Sequence, residues 1–149
     1  MSKINQFPPL LLARATVLSL WGRVHFIKDC IGGVEHGDDE DFVAFRKVIL
    51  HPSKDQPAKP GAIFIVRFRF ARFAAKTNRL LSLIPIPFIV AQPGFRSKTW
   101  MMGQKTGAFR GLYEWDSIED AEKYWTSFPM KLMKRRAILE TLNREIRAA

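Results

Sequence analysis

The sequence predicts an α+β domain in which helices cover one face of an antiparallel sheet, with a helical extension before it. Three observations predict this class. The segment Ala62–Phe70, AIFIVRFRF, alternates between two faces as a strand does. A second aromatic strand, Phe109–Trp115, runs directly into a helix-start signal. The proline-rich segment Ser53–Gly61 separates both strands from an N-terminal part with helical spacing. With 149 residues, 47% of them hydrophobic, the chain can bury a core.

Residues 1–60 are predicted to form a helical extension and a linker, and residues 61–149 the α+β domain. A pair of prolines precedes an apolar stripe at helical spacing over residues 10–31, and a pair of glycines follows it. An acidic cluster then precedes a second apolar segment. Because acidic residues in a first turn complement the helix dipole, the cluster predicts a second helix over residues 39–50.

The stripe over residues 10–31 is interpreted as a packing face. Contact with a membrane surface is the alternative, because Arg14, Arg23 and Lys28 flank an aromatic-bearing apolar surface. The same charges are too many for a membrane-spanning helix. Arg14 also interrupts the run that a signal peptide would need. A single cysteine, Cys30, fits a reducing compartment, so we expect a cytoplasmic protein.

After the linker, alternation and helical spacing predict strand, helix, strand, strand and helix, over residues 62–70, 73–83, 95–102, 109–115 and 118–128. Residues 139–146 form either a last strand or a terminal helix: propensity favours the helix and topology favours the strand. With that strand, the order is the split βαβ arrangement of a ferredoxin-like domain.

The first strand of this domain is apolar on both faces for half of its length. Ile63 and Ile65 lie on the face opposite to Phe64 and Val66. A strand of this kind is covered on both sides. Helices cover one side, and we expect a partner sheet to cover the other.

The segment Pro93–Trp125 resembles the dimeric α+β barrel superfamily, in particular its antibiotic-biosynthesis-monooxygenase-like branch. The resemblance rests on the turn Pro93-Gly94-Phe95 that opens a strand, the aromatic-acidic run Tyr113–Asp116, and the helix containing Asp120–Trp125. It extends over about residues 61–149. It implies a homodimer whose facing sheets enclose pockets, each taking a small apolar or aromatic molecule.

Relatives in this superfamily include cofactor-free oxygenases, haem-degrading enzymes and isomerases. The resemblance therefore implies a monooxygenase-like protein, with oxidation that needs no bound cofactor. The haem-degrading branch uses a histidine on a helix as its iron ligand. No histidine follows His51 in this chain, so we expect no haem. We also expect no metal site, because the contiguous acids of the predicted second helix would not all point one way.

Polar and aromatic residues on the predicted strands are the candidates for a site in such a pocket. The catalytic candidates are Tyr113, Arg67 and His51, and the ligand-binding candidates are Arg69, Arg96, Trp100 and Trp115. The arginines would hold an anion, tyrosine would act as a proton donor, and histidine titrates near neutrality. The alternatives are core packing for the aromatic residues, a solvated strand end for the arginines, and a backbone hydrogen bond for the histidine.

Two other functions stay open. The net charge is +10, and most of it lies in residues 61–149. Basic residues interleaved with aromatic ones on a sheet are typical of single-stranded nucleic-acid modules, which is the less favoured alternative. The other is a protein that binds a small ligand without transforming it.

Overall fold

A computed structural model describes residues 6–149 of the protein. The elements follow in the order α1 (Pro8–Leu20), β1 (Val24–Phe26), β2 (Val34–His36), β3 (Asp41–Leu50), β4 (Ala62–Phe68), α2 (Ala75–Leu81), α3 (Ile86–Val90), β5 (Phe95–Gly103), β6 (Phe109–Trp115), α4 (Ile118–Trp125), α5 (Phe128–Arg136) and β7 (Asn143–Ala148). A single 3₁₀ turn, Leu139–Thr141, precedes β7.

The strands form one antiparallel sheet in the order β1-β3-β5-β6-β4-β7, with β2 also paired to β3. Within it, β4, β5, β6 and β7 have the order and connections of the ferredoxin-like fold, in which the first strand lies between the fourth and the third. The predicted fold class is therefore confirmed. Strands β1 to β3 extend this sheet beyond β5.

Strands β4 and β6 follow the predicted alternation. In β4 the residues Ala62, Phe64, Val66 and Phe68 are buried, and the residues between them are half-buried. Strand β6 pairs with β4 in register and buries its own aromatic residues on the same face, with Tyr113 opposite Phe64. Aromatic cross-strand pairs of this kind stabilise a sheet, and the rings fill the layer between sheet and helices.

Helix α4 begins as the sequence predicts. The Ser117 hydroxyl accepts a hydrogen bond from the Asp120 N–H at 3.1 Å, which satisfies one free donor of the first turn. Ala121 and Tyr124 are the buried residues of α4. Pro129 lies in the first turn of α5, where its missing N–H costs nothing. Helix α4 therefore ends at Trp125, shortly before the predicted end at residue 128.

The helix predicted over residues 39–50 is wrong, because this segment forms β3. It makes a hairpin with β2 on one side and pairs with β5 on the other. The acidic residues lie in and beside the turn before the strand. There the buried Glu40 carboxylate accepts hydrogen bonds from the N–H groups of Lys105 and Thr106, at 2.9 and 3.0 Å. Glu40 is therefore explained by the hydrogen bonds that it accepts from the turn between β5 and β6, not by the dipole of a helix.

The helix predicted over residues 10–31 is correct only as far as Leu20. Gly22, with a φ of +69°, ends it in the left-handed conformation that glycine adopts easily. The chain then returns as β1, which pairs with β3. Because β1 to β3 lie in the common sheet, residues 24–50 are not helical; a domain division at residue 60 stays a prediction.

The outer side of α1 remains apolar at its C-terminal end. Leu20 is 80% exposed and Trp21 is 74% exposed. Contact of residues 10–31 with a membrane surface stays a prediction. Within residues 6–149, no helix has the length and hydrophobicity to cross a bilayer.

The alternative left open for residues 139–146 is decided in favour of the strand. Strand β7 pairs with β4 from Ala62–Ala148 to Arg67–Asn143. Without β7, the backbone groups along this edge of β4 would lack ladder partners. That requirement outweighs the helical propensity of the sequence.

Candidate functional site

A cavity with aromatic walls opens between the sheet and helices α2, α3 and α5. Its walls are the rings of Phe68, Phe70, Trp100 and Phe109. Lys98, Ser82 and Arg136 contribute polar groups to the lining. The empty volume is about 280 Å³ including the open mouth. The free volume enclosed within it is about 20 Å³, room for roughly one water molecule, so an aromatic ligand enters only when side chains of the wall move apart.

The Lys98 side chain is buried in this cavity with 1% of its surface exposed. Its Nζ lies 4.5 Å from the ring centroids of Trp100 and Tyr113, and 5.0 Å from that of Phe109. Its polar neighbour is the sulfur of Met133, at 4.0 Å. Among the residues that the structure describes, no carboxylate forms an ion pair with Lys98.

This environment favours the neutral amine. Burial lowers the pKa of Lys98 well below its usual value, and the charges of Arg46 and Arg136 lower it further. The three rings act in the opposite direction, because each cation–π contact is worth about 0.5–2 kcal/mol. Removing an ammonium group from water costs several kcal/mol, and the two guanidinium groups repel it. We therefore assign to Lys98 a folded-state pKa well below that of a surface lysine, which favours the amine form.

The guanidinium groups of Arg136 and Arg46 lie near the Lys98 amine. Arg136 lines the mouth, where it donates to the Asn78 side-chain oxygen at 2.8 Å and lies over Phe70. Asn78 in turn donates to the carbonyl of Phe73, a residue with a φ of +69°. Asn78 therefore fixes both the guanidinium group and the strained loop before α2.

Arg46 lies outside the cavity lining and contacts two residues of it, Ser82 and Trp100. It projects from β3, donates to the Ser82 hydroxyl and to the Arg79 carbonyl, and lies 5.6 Å from the Trp100 ring. Burial, and then the charge of Arg79, lowers the pKa of Arg46; burial also lowers the pKa of Arg136. A lowered arginine pKa still leaves the group charged at neutral pH. No carboxylate in residues 6–149 pairs with Arg46 or Arg136, so the cavity has a positive potential without a counter-charge.

Two tyrosines lie beside Lys98. The hydroxyls of Tyr113 and Tyr124 are 3.1 Å apart, and both lie within 4 Å of the Met133 sulfur that Lys98 also contacts. Burial raises the pKa of Tyr113 well above its usual value, and the neighbouring Tyr124 raises it further. Burial also raises the pKa of Tyr124, against the lowering effect of its hydrogen bond with Tyr113. Both phenols therefore stay protonated.

The predicted aromatic residues lie on this side of the sheet. Trp100 forms a wall of the cavity, and Tyr113 lies next to Lys98. Trp115 is fully buried behind them, stacked on Tyr113 with an interplanar angle of 17°. The indole N–H of Trp115 has no hydrogen-bond partner within residues 6–149.

The other predicted residues lie elsewhere, and their roles stay predictions. Arg67 and Arg69 line a polar groove at the end of the sheet, where Arg67 Nη2 is 3.7 Å from Glu40 Oε2. Arg96 forms a buried ion pair with Asp116 at 2.9 Å and donates to carbonyls of the linker. The His51 ring packs against the His25 ring at the far end of β3, with centroids 4.5 Å apart.

The rings that a nucleic-acid interface would need at a surface are buried. Phe68 is 2% exposed and Trp100 is 1% exposed, so neither presents a stacking platform to solvent. Among the described residues, no group of histidine, cysteine and acidic side chains is arranged to hold a metal ion. Among the described residues, the cavity combines aromatic walls with positive charge and contains no carboxylate in its lining.

Sequence reasoning did not place three basic residues, Lys98, Arg46 and Arg136, at this candidate site. The alternation of the strand places Lys98 on the same face as Trp100. It does not show whether helices cover that face and bury the side chain. Arg96 leaves this face because the pairing of β5 with β6 shifts between Phe95 and Ser97. Nothing in the local pattern places Arg46 or Arg136 at the cavity, because each arrives from an element distant in sequence.

Comparisons with known proteins identify the fold. No family model and no curated protein matches the chain. An anthrone oxidase-like protein of known structure is 15% identical, with a TM-score of 0.51 over 74% of this chain. The match spans 56% of that protein's length. An uncharacterised ferredoxin-fold protein related to antibiotic biosynthesis monooxygenases, from Listeria monocytogenes 4b F2365, is 8% identical, with a TM-score of 0.50 over 84% of this chain and 90% of its own.

A heme-degrading enzyme from Listeria monocytogenes is 10% identical, with a TM-score of 0.49 over 83% of this chain and 95% of its own. The first two likenesses confirm the predicted architecture. The chain has a ferredoxin-like α+β fold.

The substitution Lys98→Met is expected to raise the free energy of unfolding at pH 7, because methionine fills the same space without a desolvated amine. The advantage should shrink by about 1.4 kcal/mol per pH unit between the folded-state pKa of Lys98 and about 10.4. In that window the unfolded wild type binds one proton more than the folded protein, so its stability rises with pH. Urea unfolding of both proteins between pH 7 and 10 measures this difference.

Lys131→Met is the matched control, since Lys131 lies exposed on α5. Its difference from the wild type should stay nearly constant over the same range. A constant difference for Lys98→Met as well would mean that Lys98 is charged in the folded protein, contrary to our assignment.

Proposed function

We propose that the protein binds a small aromatic compound with an acidic C–H or O–H group in the aromatic cavity, and oxidises it with molecular oxygen without a bound cofactor. One observation carries the proposal: Lys98, Arg46 and Arg136 converge on aromatic walls, and no described carboxylate neutralises them. Such a cavity favours a flat apolar molecule that becomes an anion.

The proposed first step is a proton transfer from the ligand to Lys98. A neutral amine accepts a proton, and the resulting ammonium group stays beside the new anion. Arg136 would stabilise the anion with a charge-assisted hydrogen bond from the mouth. Because the cavity is apolar, these charges act on each other more strongly than they would in water. The Tyr113 phenol stays protonated in this proposal and acts as a neighbour of the amine, not as the base.

The proposed second step is the reaction of the electron-rich anion with oxygen. One electron passes from the ligand anion to O₂, and the two radicals combine to form a C–O bond. The peroxide anion takes the proton back from Lys98, and for a CH₂ group the hydroperoxide then loses water to leave a ketone. The overall reaction is R₂CH₂ + O₂ → R₂C=O + H₂O, which balances without an external reductant.

Anthrone is the first substrate to test. It is an aromatic ketone whose methylene group lies between two aryl rings and loses a proton readily. One solved protein with a similar fold is described as anthrone oxidase-like. At 15% identity this likeness supports the choice of a test compound, and the chemistry of the cavity supports the class.

A ligand-binding protein without catalysis is the second candidate. The small cavity volume favours it, because a ligand that fills the space leaves little room for oxygen.

The proposal also includes a cytoplasmic location, which the single cysteine supports.

The wild type is expected to consume one O₂ per anthrone converted, without added metal or cofactor. Lys98→Met should lower kcat by about 10²–10⁴-fold, the usual contribution of a general base. Arg136→Gln should weaken the binding of a phenolate-type inhibitor by roughly 10- to 100-fold, because it removes a charge-assisted hydrogen bond. An oxygen electrode and a binding titration provide the two readouts.

Arg135→Gln and Lys131→Met are the matched controls, because both residues lie on the exposed side of α5. Both variants should keep the wild-type rate and affinity. Binding without oxygen uptake would favour the binding-only candidate. Failure of anthrone and of related phenols to bind would contradict the proposed ligand class, and steeply salt-dependent retention on single-stranded RNA would favour the nucleic-acid alternative.

We also propose that two copies of the chain associate through the sheet face opposite to the helices. On this face Ile65 pairs with Leu112 across β4 and β6, and Ile63 lies next along the strand. All three are half-buried in the single chain. Arg110 and Glu114 flank them on β6 with opposite charges. An apolar centre with charged residues of both signs at its edge suits a symmetric contact.

In this proposal the wild type has twice the mass of one chain in size-exclusion chromatography with light scattering. Ile65→Glu should convert it to a single-chain species, because two buried carboxylates would then face each other. Leu80→Glu is the control, since Leu80 is an exposed residue of α2 and lies away from this face. A wild type that remains a single chain at micromolar concentration would contradict the proposed association.

A further inference from the structure

We infer that Lys98 is also a nucleophile, and that it condenses with aromatic aldehydes that carry an anionic substituent. The inference uses the cavity of the proposed function but assigns it a second, covalent chemistry. Three features of the structure support it: an amine without an acidic partner, a partly open cavity beside that amine, and cations that select the charge of the ligand.

The first feature is the state of the amine. A lysine attacks a carbonyl group through its nitrogen lone pair, which an ammonium group or a tight ion pair would not offer. Lys98 is surrounded by rings and by the Met133 sulfur, and no described carboxylate contacts it. Burial and two neighbouring guanidinium groups act against protonation. Exposed lysines of the same chain lack this enclosure.

The second feature is access. Lys98 lines a cavity that is partly open to solvent and has room for roughly one water molecule, so an aromatic ligand reaches the amine when the ring side chains of the wall move apart. The walls on the way are Phe70, Trp100 and Phe109, which fit an aromatic ring. The same walls exclude bulk water, and this slows the hydrolysis of an imine once it has formed.

The third feature is the charge at the mouth. Arg136 lines the opening, and Ser82, which also lines it, accepts a hydrogen bond from Arg46. A carboxylate or phosphate on the ring would contact Arg136 while the aldehyde at the other end reaches Lys98. The structure therefore favours an anionic aromatic aldehyde over a neutral one.

The reaction balances with the groups named. The nitrogen lone pair of Lys98 forms a bond to the carbonyl carbon, and the π pair of the C=O bond moves to oxygen. The two hydrogens of the amine leave with that oxygen as one water molecule. The products are an imine, Lys98–N=CH–aryl, and water, with no oxidation or reduction.

The test uses 4-carboxybenzaldehyde with sodium cyanoborohydride, which reduces an imine to a stable secondary amine. At pH 7 and short times, intact mass spectrometry should show one added group, and peptide mapping should place it on Lys98. Labelling of Lys98 should be at least 10-fold faster than labelling of any surface lysine, and this preference should disappear in denaturant. Benzaldehyde should label Lys98 about 10-fold more slowly than the carboxylated probe.

Two sets of variants complete the test. Lys98→Met and Lys98→Arg should lose the adduct, and Lys131→Met should keep it, with far-ultraviolet circular dichroism confirming that each variant is folded. Arg136→Gln should remove the advantage of the carboxylated probe over benzaldehyde. Equal advantages in both proteins would overturn the assigned charge preference.

The outcome separates this inference from the proposed function. Labelling spread over surface lysines, with Lys98 unmodified, would overturn the inference. If 4-carboxybenzyl alcohol, which has no carbonyl group, still binds and anthrone is still oxidised, the proposed function stands without it. An adduct on Lys98 in a protein that never consumes oxygen would support the inference and contradict the oxidase proposal.

Discussion

The burial of Lys98 among aromatic rings is the interaction on which the account of this protein depends. An amine in that position costs free energy in its charged form, and the structure supplies rings instead of a carboxylate. Two arginines add positive charge to the same space rather than removing it. A core selected for stability alone would place methionine or leucine there. The cost is understandable if the positive potential serves a ligand that brings or acquires negative charge.

The sheet separates two kinds of surface. On the helix side, strands β4, β5 and β6 supply the rings and the amine, while β3 and α5 supply the arginines. On the other side, Ile63, Ile65 and Leu112 form an apolar area between charged residues. Arg67 belongs to this second side and pairs with acids there, which explains why it does not reach the cavity. The proposed ligand chemistry and the proposed association of chains would therefore use opposite faces of one layer.

Much of the fold could be predicted from local pattern. The alternation in β4 and β6 gave the buried faces, because a strand has only two sides, and the Ser117 cap located α4. The acidic residues before β3 pointed to a helix because their partners, the amides of Lys105 and Thr106, lie far along the chain. Likewise β7 is a strand because β4 offers it an unpaired edge. Non-local hydrogen bonds of this kind leave no signal in a short window of sequence.

The candidate site was predictable only in part, because some of its residues come from elements that are distant in sequence. The pattern identified Trp100 and Tyr113 as candidates for a pocket, and both residues lie next to Lys98. It did not identify the amine as buried, since a lysine on an alternating strand has the same pattern whether helices cover it or not. Arg136 and Arg46 come to the cavity through α5 and β3, whose packing depends on the whole sheet.

The protonation state of Lys98 is the most direct test of the account. In protein labelled with ¹³C at the lysine ε-carbons, nuclear magnetic resonance follows each lysine as the pH is raised, and Lys98→Met identifies its signal. Lys98 is expected to lose its proton at a pH well below that of the surface lysines. A Lys98 signal that titrates together with those of the surface lysines would show that the rings hold an ammonium ion, and would contradict the account.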